Sequence, residues 1–298
     1  MTEQALSNSE VVSIVLEVIN TIFSNIFNSI DKTIFPLLDK LVFINTDIFS
    51  TGTKFNKVLS TSSSNGVLIL ANCLFTAFVL YYAGRLLLAN LLGTQIESPG
   101  KFFMRAFLTG IAMNSALPIC KFFINSTNLV SSFFCELGKN IFSKDISFVT
   151  LISLLETSTA SGIDVLSLDG ILSGILSISA FALIISFSFR YILVEVLIIL
   201  SPFAILCLTN SSTEGFFKSW FKCLLSLLIL QVVISVMLLI PYSLLNANND
   251  MLFNKILLVG SITALLKSNH FVKEFMGGIG IGTNFQSGLS GIRTLISK

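Results

Sequence analysis

The chain is poor in charge. Of its 298 residues only 11% are Asp, Glu, Lys or Arg, against 53% hydrophobic, and a mean hydropathy of +0.88 does not suit a surface that faces water on all sides. It is equally poor in histidine. The sole one, His270, excludes multi-His metal centres and HExxH chemistry. The cysteines, Cys73, Cys120, Cys135, Cys207 and Cys223, are odd in number, four of them lie in apolar runs, and none forms a CxxC. They read as small core residues. A net charge of +2, with no basic run longer than two residues, does not provide a phosphate-neutralising surface, which sets aside nucleic-acid recognition by this chain alone. The opening MTEQALSNSE is acidic and polar rather than basic, so no cleavable signal peptide is expected there. Two sequon matches, Asn125-Ser-Thr and Asn210-Ser-Ser, carry little weight.

Long apolar runs are what the chain does have, because its charges are clustered. From Val11 to Ile30 apolar residues recur at three- and four-residue spacing, with Ser13, Glu17, Asn20, Ser24, Asn25 and Asn28 between them, which predicts an amphipathic helix on the membrane surface or against a partner. Residues 31–65 predict a second short helix and then a loop through the Ser60–Asn65 run. The first span expected is Gly66–Leu92, broken only by Arg85, and the second is Phe102–Ile124, which Pro118 should kink. Residues 125–170 carry five acidic side chains against Lys139 and Lys144 and are too polar for lipid.

Ile171–Leu208 holds only Arg190, Glu195 and Pro202 as punctuation, and as one helix would reach about 57 Å, nearly twice the hydrocarbon thickness. Two further spans follow, Phe221–Leu245 and the short Met251–Leu266. If Ile171–Leu208 crosses once, the Lys101/Arg105 loop, the Lys218/Lys222 loop and the Lys273/Arg293/Lys298 tail fall on one side, the cytoplasmic one by the positive-inside rule. The expectation is therefore an all-α, polytopic membrane protein of about five spans. It has an amphipathic region at 1–65, outside or interfacial, and a helical domain at 66–267 with an outside loop at 125–170. A Gly-rich cytoplasmic tail, 268–298, completes it, with the N-terminus outside the cell membrane. Six spans would put Lys218 and Lys222 outside.

The candidate functional residues are Arg85, Arg190, Glu195, Pro202 and Trp220. Intramembrane charge is costly. Arg85 is expected to snorkel to the near interface. Arg190 and Glu195 pair with groups on other helices, face a wet cavity, or mark the interface before a turn at Ser201-Pro202; five residues apart, they are badly placed to pair with each other on one helix. The tail motif GGIGIG, Gly277–Gly282, has the wrong order for a dinucleotide fingerprint and no P-loop lysine. No catalytic residue, metal ligand or cofactor is expected, and any energy-driven process must be powered by a partner. Gly84 and Gly170/Gly174 would permit close helix approach.

The layout resembles the TrbL-like membrane proteins, the polytopic inner-membrane subunit of type IV secretion and conjugal transfer systems. The block RYILVEVLIILSPFAILCLTNSSTEGFFKSWFKCLLSLLILQVV carries the detail: a helix with Arg190 and Glu195 running into Pro202, a polar loop at Asn210–Gly215, and Trp220 opening the next span. The outside loop is shorter than in many members, and the Ile/Phe/Asn/Lys-rich style looks like that of a low-GC Gram-positive host. The resemblance implies a non-enzymatic, oligomeric channel or platform subunit for exporting a DNA–protein complex. It also implies partners: further copies, other secretion-system membrane subunits, a secretion ATPase, a coupling protein and the lipid bilayer, with the exported complex added if the cargo touches this chain. The alternative is a small-solute secondary transporter with a midplane Arg190/Glu195 site, against which the halves show no inverted repeat. A third reading, a small toxin-immunity or pore-forming membrane protein, leaves the amphipathic N-terminus unexplained.

Overall fold

A computed structural model describes residues 8–44, 58, 66–93, 98–156, 167–210, 213–245 and 251–275. The described residues are helical, without a strand. In chain order the helices are α1 (Asn8–Val42), α2 (Val67–Leu92), α3 (Pro99–Asn114), α4 (Ala116–Phe142), α5 (Phe148–Glu156), α6 (Leu168–Ile199), α7 (Ser201–Leu206), α8 (Glu214–Leu245) and α9 (Met251–Phe275), with a 3-10 turn at Cys207–Thr209. Among the described residues three helices are long and apolar enough to cross a membrane: Val67–Leu92, Gly170–Ile199 and Glu214–Leu244. A fourth candidate is the pair α3 and α4, bent by 64° at Ser115. The bend lies where Pro118 cannot donate to the carbonyl of Asn114 and its ring crowds that carbonyl.

α4 and α8 lie side by side and run in the same direction. Phe123 meets Phe221 at 5.4 Å between ring centroids, Asn128 hydrogen-bonds Gln231, and Phe142 meets Tyr242 at 6.0 Å. Gly138 has no room for a Cβ, which would run into Leu239 and Ile146. α4 thus has the full length of a spanning helix beside it. α6 ends where α8 begins, and α9 packs against both. Their shared core, including Leu183, Phe187, Leu230, Ile234, Leu258 and Ile262, also takes in Ile34, Phe35, Leu38 and Val42 of α1.

One end of this bundle gathers Arg105, Glu214 and Lys218; Arg105 interacts electrostatically with Glu214, which pairs with Lys218 at 2.9 Å. The other end is tied by the Lys139–Asp145 pair, 2.8 Å, and by Tyr242, whose hydroxyl accepts from Ser147 N–H at 3.1 Å and donates to the Ser147 carbonyl at 2.7 Å. α2 packs on α3 and on α7. α2 and α3 are antiparallel: Asn72 meets Asn114 at 3.4 Å, Phe75 covers Gly110 and Tyr82 stacks on Phe102. The start of α2, Leu68 and Ala71, is buried with Met113, Ala116, Ile205 and Leu206, at the basic end. Gly93, in the left-handed region with φ 65°, closes α2 with an N–H to the Ala89 carbonyl.

Several expectations are corrected. The N-terminal helix does not stop near Ile30 but continues to Val42 through Pro36, which is exposed, so the carbonyl it leaves unbonded faces outward. Residues 125–142, expected in an outside loop, are the second half of α4, and 148–156 form α5. Asn128 accordingly sits midway along a packed helix. α9 reaches Phe275, into the segment read as tail. Gly84 meets open space, not another helix. Ser60–Asn65, Asp164 and the GGIGIG motif lie outside the described residues.

Candidate functional site

Helix α1 enters the bundle C-terminus first, and its last carbonyls are bare unless something donates to them. Arg190, from the middle of α6, does so. Its Nη2 donates to the Val42 carbonyl at 2.6 Å and to the Leu41 carbonyl at 3.2 Å. The side chain is buried, 1% exposed, with Cζ 5.7 Å from the Phe187 ring centroid. A cation at a helix C-terminus answers the negative end of the helix dipole, so α1 supplies the counter-charge that a carboxylate would otherwise give. Nε and Nη1 have no hydrogen-bond partner among the described residues.

Beyond Val42 a closed cycle of three hydrogen bonds completes the cap. Ile44 N–H donates to Gln231 Oε1 at 3.3 Å, Gln231 Nε2 to Asn128 Oδ1 at 2.6 Å, and Asn128 Nδ2 to the Ile44 carbonyl at 3.1 Å. Both amides sit near the middle of their helices, Asn128 about 18 Å from the start of α4 and about 21 Å from its end, at 1.5 Å per residue. The end of α1 is therefore held at mid-depth by α4, α6 and α8 together. A turn and a half earlier, Asp39 accepts the N–H groups of Phe148 at 2.8 Å and Val149 at 3.3 Å, capping α5. Burial pushes the Asp39 carboxyl above its ordinary range, against the pull of those two N–H groups. An open groove of about 760 Å³ runs along this junction, lined by Asp39, Lys40, Phe43 and Ile44 on one side and Asn128, Leu129 and Ser132 on the other.

Of the residues singled out from sequence, Pro202 and Trp220 both act on the end of α6. Pro202 cannot donate to the Ile198 carbonyl, and the Ser201 hydroxyl does so at 2.6 Å. Trp220 Nε1 reaches back from α8 to the Leu197 carbonyl at 2.9 Å. The broken end of α6 is thus closed by its own serine and by the next helix. Glu195 is half-buried on another face of α6, apart from Arg190. Arg85 is exposed, two turns before the end of α2. Asn128 and Gln231 were not anticipated; the one signal for Gln231 is an amide in the middle of an apolar span. No protein-family model matches the chain, and no curated protein matches it in sequence.

Proposed function

We propose that the chain is a non-enzymatic, multi-pass subunit of an oligomeric export machine of the type IV secretion kind, set in the cytoplasmic membrane. In this reading α4, α6, α8 and α9 cross along one axis, and α1 enters between them from the outer face. The N-terminus is outside and the C-terminus cytoplasmic, with the end that gathers Arg105 and Lys218 facing the cytoplasm. Copies of itself, other membrane subunits, a secretion ATPase and a coupling protein are its partners, with exported DNA–protein complex as cargo. The observation that carries the reading is the α6–α7–α8 unit, which holds the residues behind the TrbL-like resemblance: Pro202 breaks α6, Ser201 and Trp220 close the broken end, and Arg190 caps the end of α1. The transporter reading asks for a joint Arg190–Glu195 site, and the two side chains do not converge.

In a host carrying such a system, Arg190→Ala and Glu195→Ala should lower conjugal transfer at normal abundance and leave small-solute uptake as it was. Abundance has to be followed, because a stranded partner of a buried charge can cost about 3–5 kcal/mol. Normal transfer in the absence of the gene, with Glu195-dependent solute movement by the purified protein in liposomes, refutes the proposal in favour of the transporter.

A further inference from the structure

Lys121, Asn125, Asn128, Ser132, Glu136 and Lys139 recur along α4 at spacings of three and four, so at about 100° per residue they share an arc of about 80°. All six are half-buried or exposed. The sector beside them is apolar and exposed, with Phe122 at 67% and Phe133 at 58%. The sector on their other side, including Cys120, Ile124, Ser131 and Gly138, is buried. A helix that lies against α8 from Phe123 to Phe142 thus carries an unbroken polar stripe over the full depth of its neighbour. Hydrocarbon does not solvate lysine, glutamate and amides at that depth.

We infer that this stripe lines a water-filled path through the membrane, with α1 forming the opposite wall of its outer half. Two observations support water as the occupant. The groove beside Asn128 and Ser132 is open and walled across by the charged Asp39 and Lys40. The stripe also carries both signs of charge, which suits a hydrated lumen better than lipid. The inference rests on the membrane reading given above and adds to it the surface along which polar cargo or ions would pass.

Single variants Asn125→Cys, Ser132→Cys and Glu136→Cys, with Phe122→Cys and Phe133→Cys as lipid-facing references, should be treated in membrane vesicles with a charged, membrane-impermeant methanethiosulfonate. Labelling is read peptide by peptide by mass spectrometry, so the native cysteines stay in place. Only a wetted thiol ionises and reacts, so the stripe positions should label about tenfold or more faster than the two references. Ser132→Cys replaces one small side chain by another and reports even if the bulkier changes do not fold. Uniformly slow labelling overturns the water path while leaving the membrane reading intact, and disulfide-linked Ser132→Cys dimers with slow labelling would show a second copy covering the stripe. Uniformly fast labelling, the phenylalanine sites included, overturns the membrane reading and the path with it.

Discussion

Gln231→Leu separates the polar cycle at the end of α1 from the apolar packing around it. Gln231 is fully buried, and leucine has nearly its volume, so the change opens no large cavity. It orphans the buried Ile44 N–H and the part-buried Asn128 Oδ1, the first costing about 1–3 kcal/mol and the second less, because water reaches it. Relief of the amide's own desolvation offsets part of this, leaving a loss of about 1–3 kcal/mol. For a chain of this size each kcal/mol lowers Tm by about 2–4 °C, so a fall of about 2–12 °C in detergent is expected. Asn128→Leu should cost a similar amount. The double variant removes both amides and leaves only the Ile44 N–H and carbonyl bare, so the second substitution should cost at least about 1 kcal/mol less than it does alone. Additive losses, or single losses below about 0.5 kcal/mol, refute the cycle as a coupled unit.

Trp220→Phe keeps an aromatic ring and deletes the bond to the Leu197 carbonyl, so it should cost about 1 kcal/mol in thermal unfolding; no change would mean that the end of α6 closes without it. Gly138→Val sets two methyl groups against Leu239 and Ile146 and should cost about 1–3 kcal/mol through overpacking between α4 and α8, with Gly138→Ala milder. For Asp39, a folded-state pKa above the ordinary 3.8 means that the folded chain still binds a proton that the unfolded chain has released, so its contribution falls as pH rises through that window. Asp39→Asn does not titrate. Wild type should therefore gain on the variant as pH drops from 7 toward the ordinary carboxylate range, and thermal midpoints that shift the other way contradict the assignment.

Hydropathy alone located three of the helices that carry the fold, α2, α6 and α8, because lipid-facing helices must be apolar whatever they pack against. Proline chemistry foretold the two breaks, at Ser115 and at Ser201-Pro202, since a missing N–H acts within four residues. The C-terminal half of α1 was hidden by Pro36, a residue that ends helices unless its freed carbonyl faces outward. The site itself was half visible. Arg190 declared itself as a charge in an apolar run, but its partner is a pair of backbone carbonyls 148 and 149 residues away, and carbonyls leave no trace in composition. Asn128 and Gln231 meet across 103 residues, and Asn128 fell in a stretch whose polarity read as an outside loop. That polarity belongs to one stripe of a packed helix.

The direction of α4 relative to α8 is the claim from which the topology, the basic face and the polar path all follow. Single cysteines at Lys101, Lys144, Ser219 and Ser243, in intact cells and in inverted vesicles, test it with one impermeant thiol reagent. The account predicts that Lys101→Cys and Ser219→Cys label from the cytoplasmic side, and Lys144→Cys and Ser243→Cys from outside. Labelling of Lys144→Cys and Ser219→Cys from the same side contradicts it.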